Sequence, residues 1–439
     1  MVKEIVMATF GSFGDVNPFI AIAQELQRRG HRVVIATSEQ SRAHIESSGV
    51  GFYAARPSWH VIPPPIPMNL GQEIAPLLRR GPFYNLRSSC DDLMVAVQGA
   101  DLLVTLNLVY AGPLVAEKTG IPWVSVVLEP STLHTAYEPL VTAPIFSMPR
   151  CLRTTFLGTG CSLGPMADSV VLRFGTPVIR YWVESVQQVR AELGLPPGKD
   201  PFFGDYHSPD LVLALFSPML GLPQPDWPPQ TRVTGFVYYD RLGAGSGLPR
   251  YLAQFMDTGP PPVVFTLSSD AVIYPSKFSA ESFYTESLNA ARLLGCRAVL
   301  LGMSLLDSAP YSLEWSPFAA ANVVTASYAP FSELFPRAAA IVHHGGIGTT
   351  ALALQAGRPM LVVPDSYAQP DTAARVTRLG VARTIPRQAY TGAAAAVELL
   401  RLLNDPGYAM RAAMAGHQVR AEDGVGAACN AIEERLARR

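Results

Sequence analysis

Two short strings in this chain carry the residue types and spacing that chemistry needs. The first is VHHGGIGTT, Val342 to Thr350, in which an apolar run ends in two histidines and two glycines before a helical pattern begins near Ile347. Gly345, Gly346 and Gly348 let backbone amides approach an anion closely, and a helix N-terminus adds unpaired N–H groups and partial positive charge. Thr349 and Thr350 offer hydroxyl donors in the first turn, and His344 can donate to a phosphate oxygen. The second string is Gly11-Ser12-Phe13-Gly14-Asp15, which follows another apolar run. A carboxylate beyond a glycine turn can take the proton of an attacking hydroxyl. Burial among apolar side chains would raise its pKa and make it a better base. The competing structural reading makes Asp15 the cap of a helix expected over Pro18 to Arg29. A dinucleotide-binding reading fails here because the third glycine of GxGxxG is missing. Weaker candidates lie on strand-end loops: Phe13, His60, Glu129 and His134 as residues lining a ligand pocket, and Asp371 as a helix cap or ligand contact. His31, at a helix-to-strand turn, reads as structural. No Asp-x-Asp string occurs, and charge stabilisation then falls to a helix N-terminus and His344 rather than to a divalent ion.

The elements that must position these groups alternate between apolar strands and amphipathic helices. Strands are expected at Lys3–Thr9, Arg32–Thr37, Leu102–Leu106 and Trp123–Leu128, with helices between. A second series has strands at Val263–Leu267, Arg297–Leu301, Asn322–Thr325, Ala339–Val342 and Met360–Val363, and helices at Gly346–Gln355 and Gln369–Arg378. Such alternation means parallel sheets covered on both faces. The chain is therefore α/β, with two Rossmann-like parallel-sheet domains in tandem. Gly, Pro and Ser enrichment near 239–260 marks a linker. The expected layout is a first domain over residues 1–238, a second over 261–420, and a closing helix in 421–439 that packs back on the first domain. Proline-dense 57–67 and aromatic-rich 130–204 are insertions at strand ends, where open α/β sheets hold ligands.

Composition narrows the function classes. Hydrophobic residues are 49% and charged residues 16% of 439, which indicates a globular chain with ample core. A net charge of -1 gives no electrostatic reason to expect nucleic acid or an anionic membrane. Five scattered cysteines fit a reducing compartment and neither a disulfide framework nor a zinc site. The apolar runs are of strand length, so no transmembrane segment is expected, and Ile5 to Phe10 lacks a cleavage site for a signal peptide. The expected location is the cytoplasm, as a monomer or weak homo-oligomer.

HHGGIGTT resembles the donor-binding motif of family 1 glycosyltransferases, the GT-B class that includes plant and antibiotic-modifying enzymes. GSFGDVNPF, RGHRVVIAT and SYAPFSELFP follow that family in the same order. EKTGIPWVSVVLEPSTL and PQPDWPPQTRVTGF look most like its rhamnosyltransferase and sterol glucosyltransferase branch. The resemblance implies that the two domains face each other across a cleft, with the acceptor on 1–238 and the nucleotide sugar on 261–420. It implies that Tyr328 stacks on the nucleobase and that Ala329 offers it backbone contacts. It implies that His344, Gly348 and Thr349 bind the diphosphate and that Gln369 holds sugar hydroxyls. Ser268 and Ser269 fall on a Gly-Ser position facing the phosphates, with Ser268 in place of the glycine. Many members have histidine as base in the first loop; Asp15 matches the subset with Gly-Asp. Where the family usually has an acid before the glutamine, this chain has Ala368. The expected function is inverting, metal-independent transfer of a sugar from a UDP- or dTDP-linked donor to a hydroxyl of an apolar acceptor (lipid, sterol, polyketide or phenolic). A sugar-nucleotide epimerase or hydrolase, and a non-catalytic partner that keeps the fold, are the competing readings.

Overall fold

A computed structural model describes residues 2–57, 85–133, 135, 137–138, 177–198, 207–240, 247–267, 280–302, 322–365 and 368–438. Four of the expected site residues, His60, His134, Ser268 and Ser269, lie outside the described residues, as does most of 135–205. The fold divides into two compact units: one holds the described residues up to Tyr239 together with Asp423 onward, the other runs from Asp240 to Glu422.

The first unit runs β1 (Glu4–Ala8), α1 (Phe13–Arg28), β2 (Arg32–Thr37), α2 (Arg42–Ser47), β3 (Gly51–Ala54), α3 (Leu86–Ala96), β4 (Leu102–Leu106), α4 (Ala111–Thr119), β5 (Trp123–Val127), α5 (Pro177–Glu192), β6 (Val212–Ala214) and β7 (Thr231–Val233). The strands form one parallel sheet in the order β3-β2-β1-β4-β5-β6-β7. Runs such as LLVTL in β4 and WVSVV in β5 are buried at every residue, as strands covered on both faces must be. Order reverses between β1 and β4, so the loops leaving these two strands diverge and open a crevice at their carboxyl ends.

The second unit contains α6 (Arg250–Asp257), β8 (Val263–Thr266), α7 (Ala280–Leu294), β9 (Ala298–Leu301), β10 (Val323–Ala326), α8 (Phe331–Leu334), β11 (Ala340–His343), α9 (Ile347–Ala356), β12 (Met360–Val362), α10 (Gln369–Arg378), β13 (Ala382–Thr384), α11 (Gly392–Asn404) and α12 (Pro406–Arg420). Helix α6 occupies part of the segment read as a linker. The sheet order is β10-β9-β8-β11-β12-β13, all parallel, and the reversal falls between β8 and β11. A core of Phe265, Phe283, Tyr284, Val342, Tyr390 and Leu399 joins the sheet to α7 and α11.

The last helix, α13 (Gly424–Ala437), belongs to the first unit. Its Glu433 pairs with Arg29 at 2.6 Å and with His31 Nε2 at 3.1 Å, and Cys429 Sγ lies 3.8 Å from the Ile22 carbonyl. His31 is thus a packing residue. Among the described residues no helix is long and apolar enough to cross a membrane.

The start of α1 also differs from the expectation. Helix α1 begins at Phe13, five residues before Pro18, so Gly11 to Asp15 is no free loop. The start is set by a capping box: Ser12 Oγ accepts from Gly14 N–H at 3.2 Å and Asp15 Oδ2 accepts from Ser12 N–H at 2.7 Å. These bonds satisfy orphan amides of the first turn. They outweigh the one intrahelical bond that Pro18, still near the helix start, cannot make.

Candidate functional site

In the first unit the chain leaves β1 through Thr9 and Phe10 and turns at Gly11, whose φ of +129 suits only glycine. A Cβ at Gly11 would overlap Asp15 Oδ2, so the carboxylate folds back directly over the turn. Asp15 is held from two sides. Oδ2 accepts from Ser12 N–H at 2.7 Å and from Ser12 Oγ–H at 3.0 Å, and the Asp15 carbonyl accepts from Thr9 Oγ1 at 3.0 Å. Oδ1 takes no hydrogen bond among the described residues. Burial pushes the Asp15 carboxyl up to about 6, against the two Ser12 bonds, which pull it down. A carboxylate with one oxygen fastened, the other open and a pKa near the working pH is suited to accept a proton.

Thr9 and Phe10 also line a largely apolar cleft at the carboxyl ends of β1, β2 and β4, walled further by Thr37, Leu93, Leu108 and Tyr110. It lies in the crevice that the reversal of strand order creates. Of the expected pocket residues, Phe13 is 46% exposed and sits edge-on to His44 of α2, with ring centroids 4.9 Å apart. His44 Nε2 is 2.8 Å from Asn17 Oδ1, and burial lowers its pKa. Glu129 is half-buried after β5, where its carbonyl accepts the Thr132 hydroxyl at 2.8 Å.

In the second unit β11 ends at His343, and three residues later comes Gly346, the N-cap of α9, whose backbone is extended and which supplies no side-chain cap. The first amides of α9 are therefore unsatisfied by any cap, an arrangement that receives anions. Gly345 has φ +93, and a Cβ there would stand 2.9 Å from Val362 Cγ1 and 3.2 Å from the Gln369 carbonyl. A Cβ on Gly346 would overlap His344 Nε2, so the imidazole lies directly on the N-cap of α9. His344 is buried, and burial, followed by the charge of Arg387, lowers its pKa to about 4. At neutral pH it is an uncharged imidazole with one N–H to donate. Thr350 spends its hydroxyl on the Gly346 carbonyl at 2.9 Å, while Thr349 is half-buried in the same turn.

Gln369 opens α10, and its Oε1 accepts from Asp365 N–H at 3.0 Å, which ties the glutamine to the end of β12. Ala368 occupies the N-cap of α10 and has no side chain to cap with. Asp371 is buried with its carboxylate on Arg375 at 2.6 Å, one helical turn on. Tyr328 donates its hydroxyl to the Asp240 carbonyl, and Ala329 beside it is buried. His344, Gly345, Gly346 and Gln369 are thus brought together at the reversal point of this sheet.

Two residues here escaped the sequence reading. Arg387, buried after β13, donates its backbone N–H to Pro364 at 3.2 Å and lies 5.7 Å from the Phe283 ring centroid. It sits near enough to His344 to depress the imidazole's pKa. Nothing local in IPRQAY marks a buried cation, because its burial is made by α7 and the loop after β12. His343 was visible only as half of a histidine pair.

Comparison with known proteins agrees with this arrangement. Residues 5–138 match the glycosyltransferase family 28 N-terminal domain, and residues 317–428 match the erythromycin biosynthesis protein CIII-like C-terminal domain. The chain is 32% identical over 448 residues to the O-mycaminosyltylonolide 6-deoxyallosyltransferase of Streptomyces fradiae, covering 98% of this chain and 97% of that one. Among solved structures, the kitacinnamycin glycotransferase superposes with a TM-score of 0.71 at 20% identity, over 99% of this chain and 100% of that one. The spinosyn rhamnosyltransferase SpnG, complexed with thymidine diphosphate, gives 0.65 at 16% identity over 98% and 100%. With two parallel-sheet α/β units and a relative this similar along its whole length, the chain belongs to the family 1 glycosyltransferases of the antibiotic-modifying branch, enzymes of the GT-B fold that transfer sugars.

Proposed function

We propose that this enzyme transfers a sugar, with inversion and without a metal, from a UDP- or dTDP-linked donor to a hydroxyl of an apolar small molecule. Asp15 carries the reading: it is a carboxylate with one oxygen fastened, one open, and a pKa raised to about 6, and its carbonyl is bonded by Thr9, which lines the apolar cleft. The acceptor hydroxyl attacks the anomeric carbon, its proton passes to Asp15 Oδ1, and the bond from that carbon to the phosphate oxygen breaks. The nucleoside diphosphate leaves with the bonding electron pair. The amides of the α9 N-terminus and the His344 N–H are the donors we assign to that leaving charge. Tyr328 and Ala329 are assigned to the nucleobase, and Gly348 and Thr349 to the phosphates. Gln369 is assigned to the sugar, with Asp371 acting through Arg375 to hold α10. Thymidine is favoured by the diphosphate in the spinosyn relative. A 6-deoxy sugar and a polyketide-type acceptor are favoured by the name of the Streptomyces fradiae relative.

The test follows nucleoside diphosphate release from UDP- and dTDP-sugars with a panel of apolar acceptors, in excess chelator, for wild type and Asp15→Asn. Turnover should survive the chelator and fall by about 10² or more in the variant. Turnover within a few-fold of wild type in Asp15→Asn would remove Asp15 as base, and activity lost to chelator and restored by Mg²⁺ or Mn²⁺ would remove the metal-free mechanism.

A further inference from the structure

His343 ends β11 and is completely buried beneath the loop that follows. Its Nδ1 accepts a hydrogen bond from Gly345 N–H at 3.1 Å, and its carbonyl accepts from Val363 N–H at 2.8 Å. Because Nδ1 accepts, the ring proton belongs on Nε2. Nε2 is buried and has no partner among the described residues. A side chain needed only to fill this space would be apolar, since a buried donor without a partner costs stability. The acceptor on the other side of the ring is what an apolar residue could not supply.

That acceptor acts on a crowded point. Gly345 is left-handed and is packed between Val362 and the backbone of Gln369, the first residue of α10. One imidazole therefore links the end of β11 to the turn that aims the α9 amides and abuts the start of α10. We propose that His343 is a positioning residue of the diphosphate site: it touches no ligand, and it holds Gly345 so that the loop amides, His344 and Gln369 keep their mutual geometry. This rests on reading 344–349 as the site of the diphosphate.

The distinguishing substitution is His343→Asn, whose carboxamide oxygen stands as many bonds from Cβ as Nδ1 does and can accept from Gly345 N–H. His343→Leu keeps bulk and loses the acceptor. Full-length wild type, both variants and His344→Ala are titrated calorimetrically with UDP and dTDP, with donor KM, kcat and melting temperature measured alongside. The leucine variant should bind nucleotide about tenfold or more weakly, the loss of one hydrogen bond's worth of preorganisation. The substitution exchanges one unpaired buried donor, Nε2–H, for another, Gly345 N–H, so its melting temperature should not fall in step. Asparagine should restore affinity to within about threefold of wild type. Leucine binding like wild type, or asparagine as weak as leucine, overturns the proposal. If His344→Ala also binds like wild type, the diphosphate reading itself has failed; if His344→Ala alone is weak, that reading stands and only the role of His343 falls. Should the leucine variant not fold, ¹⁵N-histidine spectra of wild type decide: an Nδ1–H tautomer at His343 refutes the hydrogen bond on which the proposal stands.

Discussion

Replacing Ser12 by alanine tests the chemistry of Asp15 without touching the carboxylate. In the folded protein its pKa is the balance of two opposed effects, burial raising it and the Ser12 hydrogen bonds lowering it, to about 6. Ser12→Ala deletes the 3.0 Å bond from Oγ–H and leaves the 2.7 Å bond from the backbone N–H. A hydrogen bond to a charged group is worth about 1.5–3 kcal/mol, and one pH unit is about 1.4 kcal/mol, so full loss would raise the pKa by about one to two units. Water can replace part of the bond at this half-buried site, which favours the lower end and a variant pKa near about 7. The ionised base is needed for turnover, so kcat/KM against pH should show an acid limb near 6 in wild type, displaced upward by about one unit in the variant. The variant also loses the cap on Gly14 N–H, about 1 kcal/mol of stability, and melting curves at each pH keep unfolding separate from titration. The measurement is nucleoside diphosphate release from pH 5 to 9 under subsaturating donor and acceptor. His344, lowered to about 4, cannot account for a limb at 6. A wild-type limb at or below about 4, or one that Ser12→Ala leaves in place, would refute the reasoning.

Further outcomes follow from the same geometry. Asp15→Asn should be more heat-stable than wild type at pH 8 and not at pH 4. The folded pKa of about 6 lies above the ordinary carboxylate value, so wild type loses stability as pH rises between the two and asparagine does not; melting temperatures across that window show whether the gap opens. Gly11→Ala should lose about 1–2 kcal/mol to the left-handed backbone, and kcat should fall more than about tenfold because the new methyl displaces Asp15 Oδ2; thermal melts and initial rates check both. Ala368→Asp places a carboxylate at the N-terminus of α10, where the helix dipole favours negative charge, and should add about 0.3–1 kcal/mol of stability. It also restores the acid beside Gln369, so kcat/KM ratios among donor sugars should sharpen; a wild type already strict for one sugar, and unchanged by the acid, removes that position from donor choice.

How much of this was legible in the chain depends on where the information resides. Strands such as LLVTL and WVSVV declare themselves because burial on both faces demands unbroken apolar runs, and their positions in the chain match the sheet to within a residue or two. The edge strands TRV and ART do not, being three residues long and partly exposed, with no period to detect. The glycine loop after β11 is legible because it is contiguous, strand to glycines to helix. Arg387 and the hydrogen bond of His343 are not, because both depend on which distant element covers them. The start of α1 was legible in principle: Ser12 and Asp15 have the spacing of a capping box, but Pro18 and the glycines argued for a loop and obscured it. That misreading made cap and base look like rival roles for Asp15. In the structure the cap uses Oδ2, bound by Ser12, and leaves Oδ1 open for the role of base that we propose. A base must hold its lone pair within a fraction of an ångström of the productive direction, and a helix cap is a rigid support available at the end of β1. The cap bonds also keep the pKa from climbing further under burial, so that the carboxylate stays ionised near neutral pH. Capping is therefore a condition for Asp15 to serve as a base, and a substitution that spares the carboxylate but loosens the cap should show it in the pH profile before it shows in the fold.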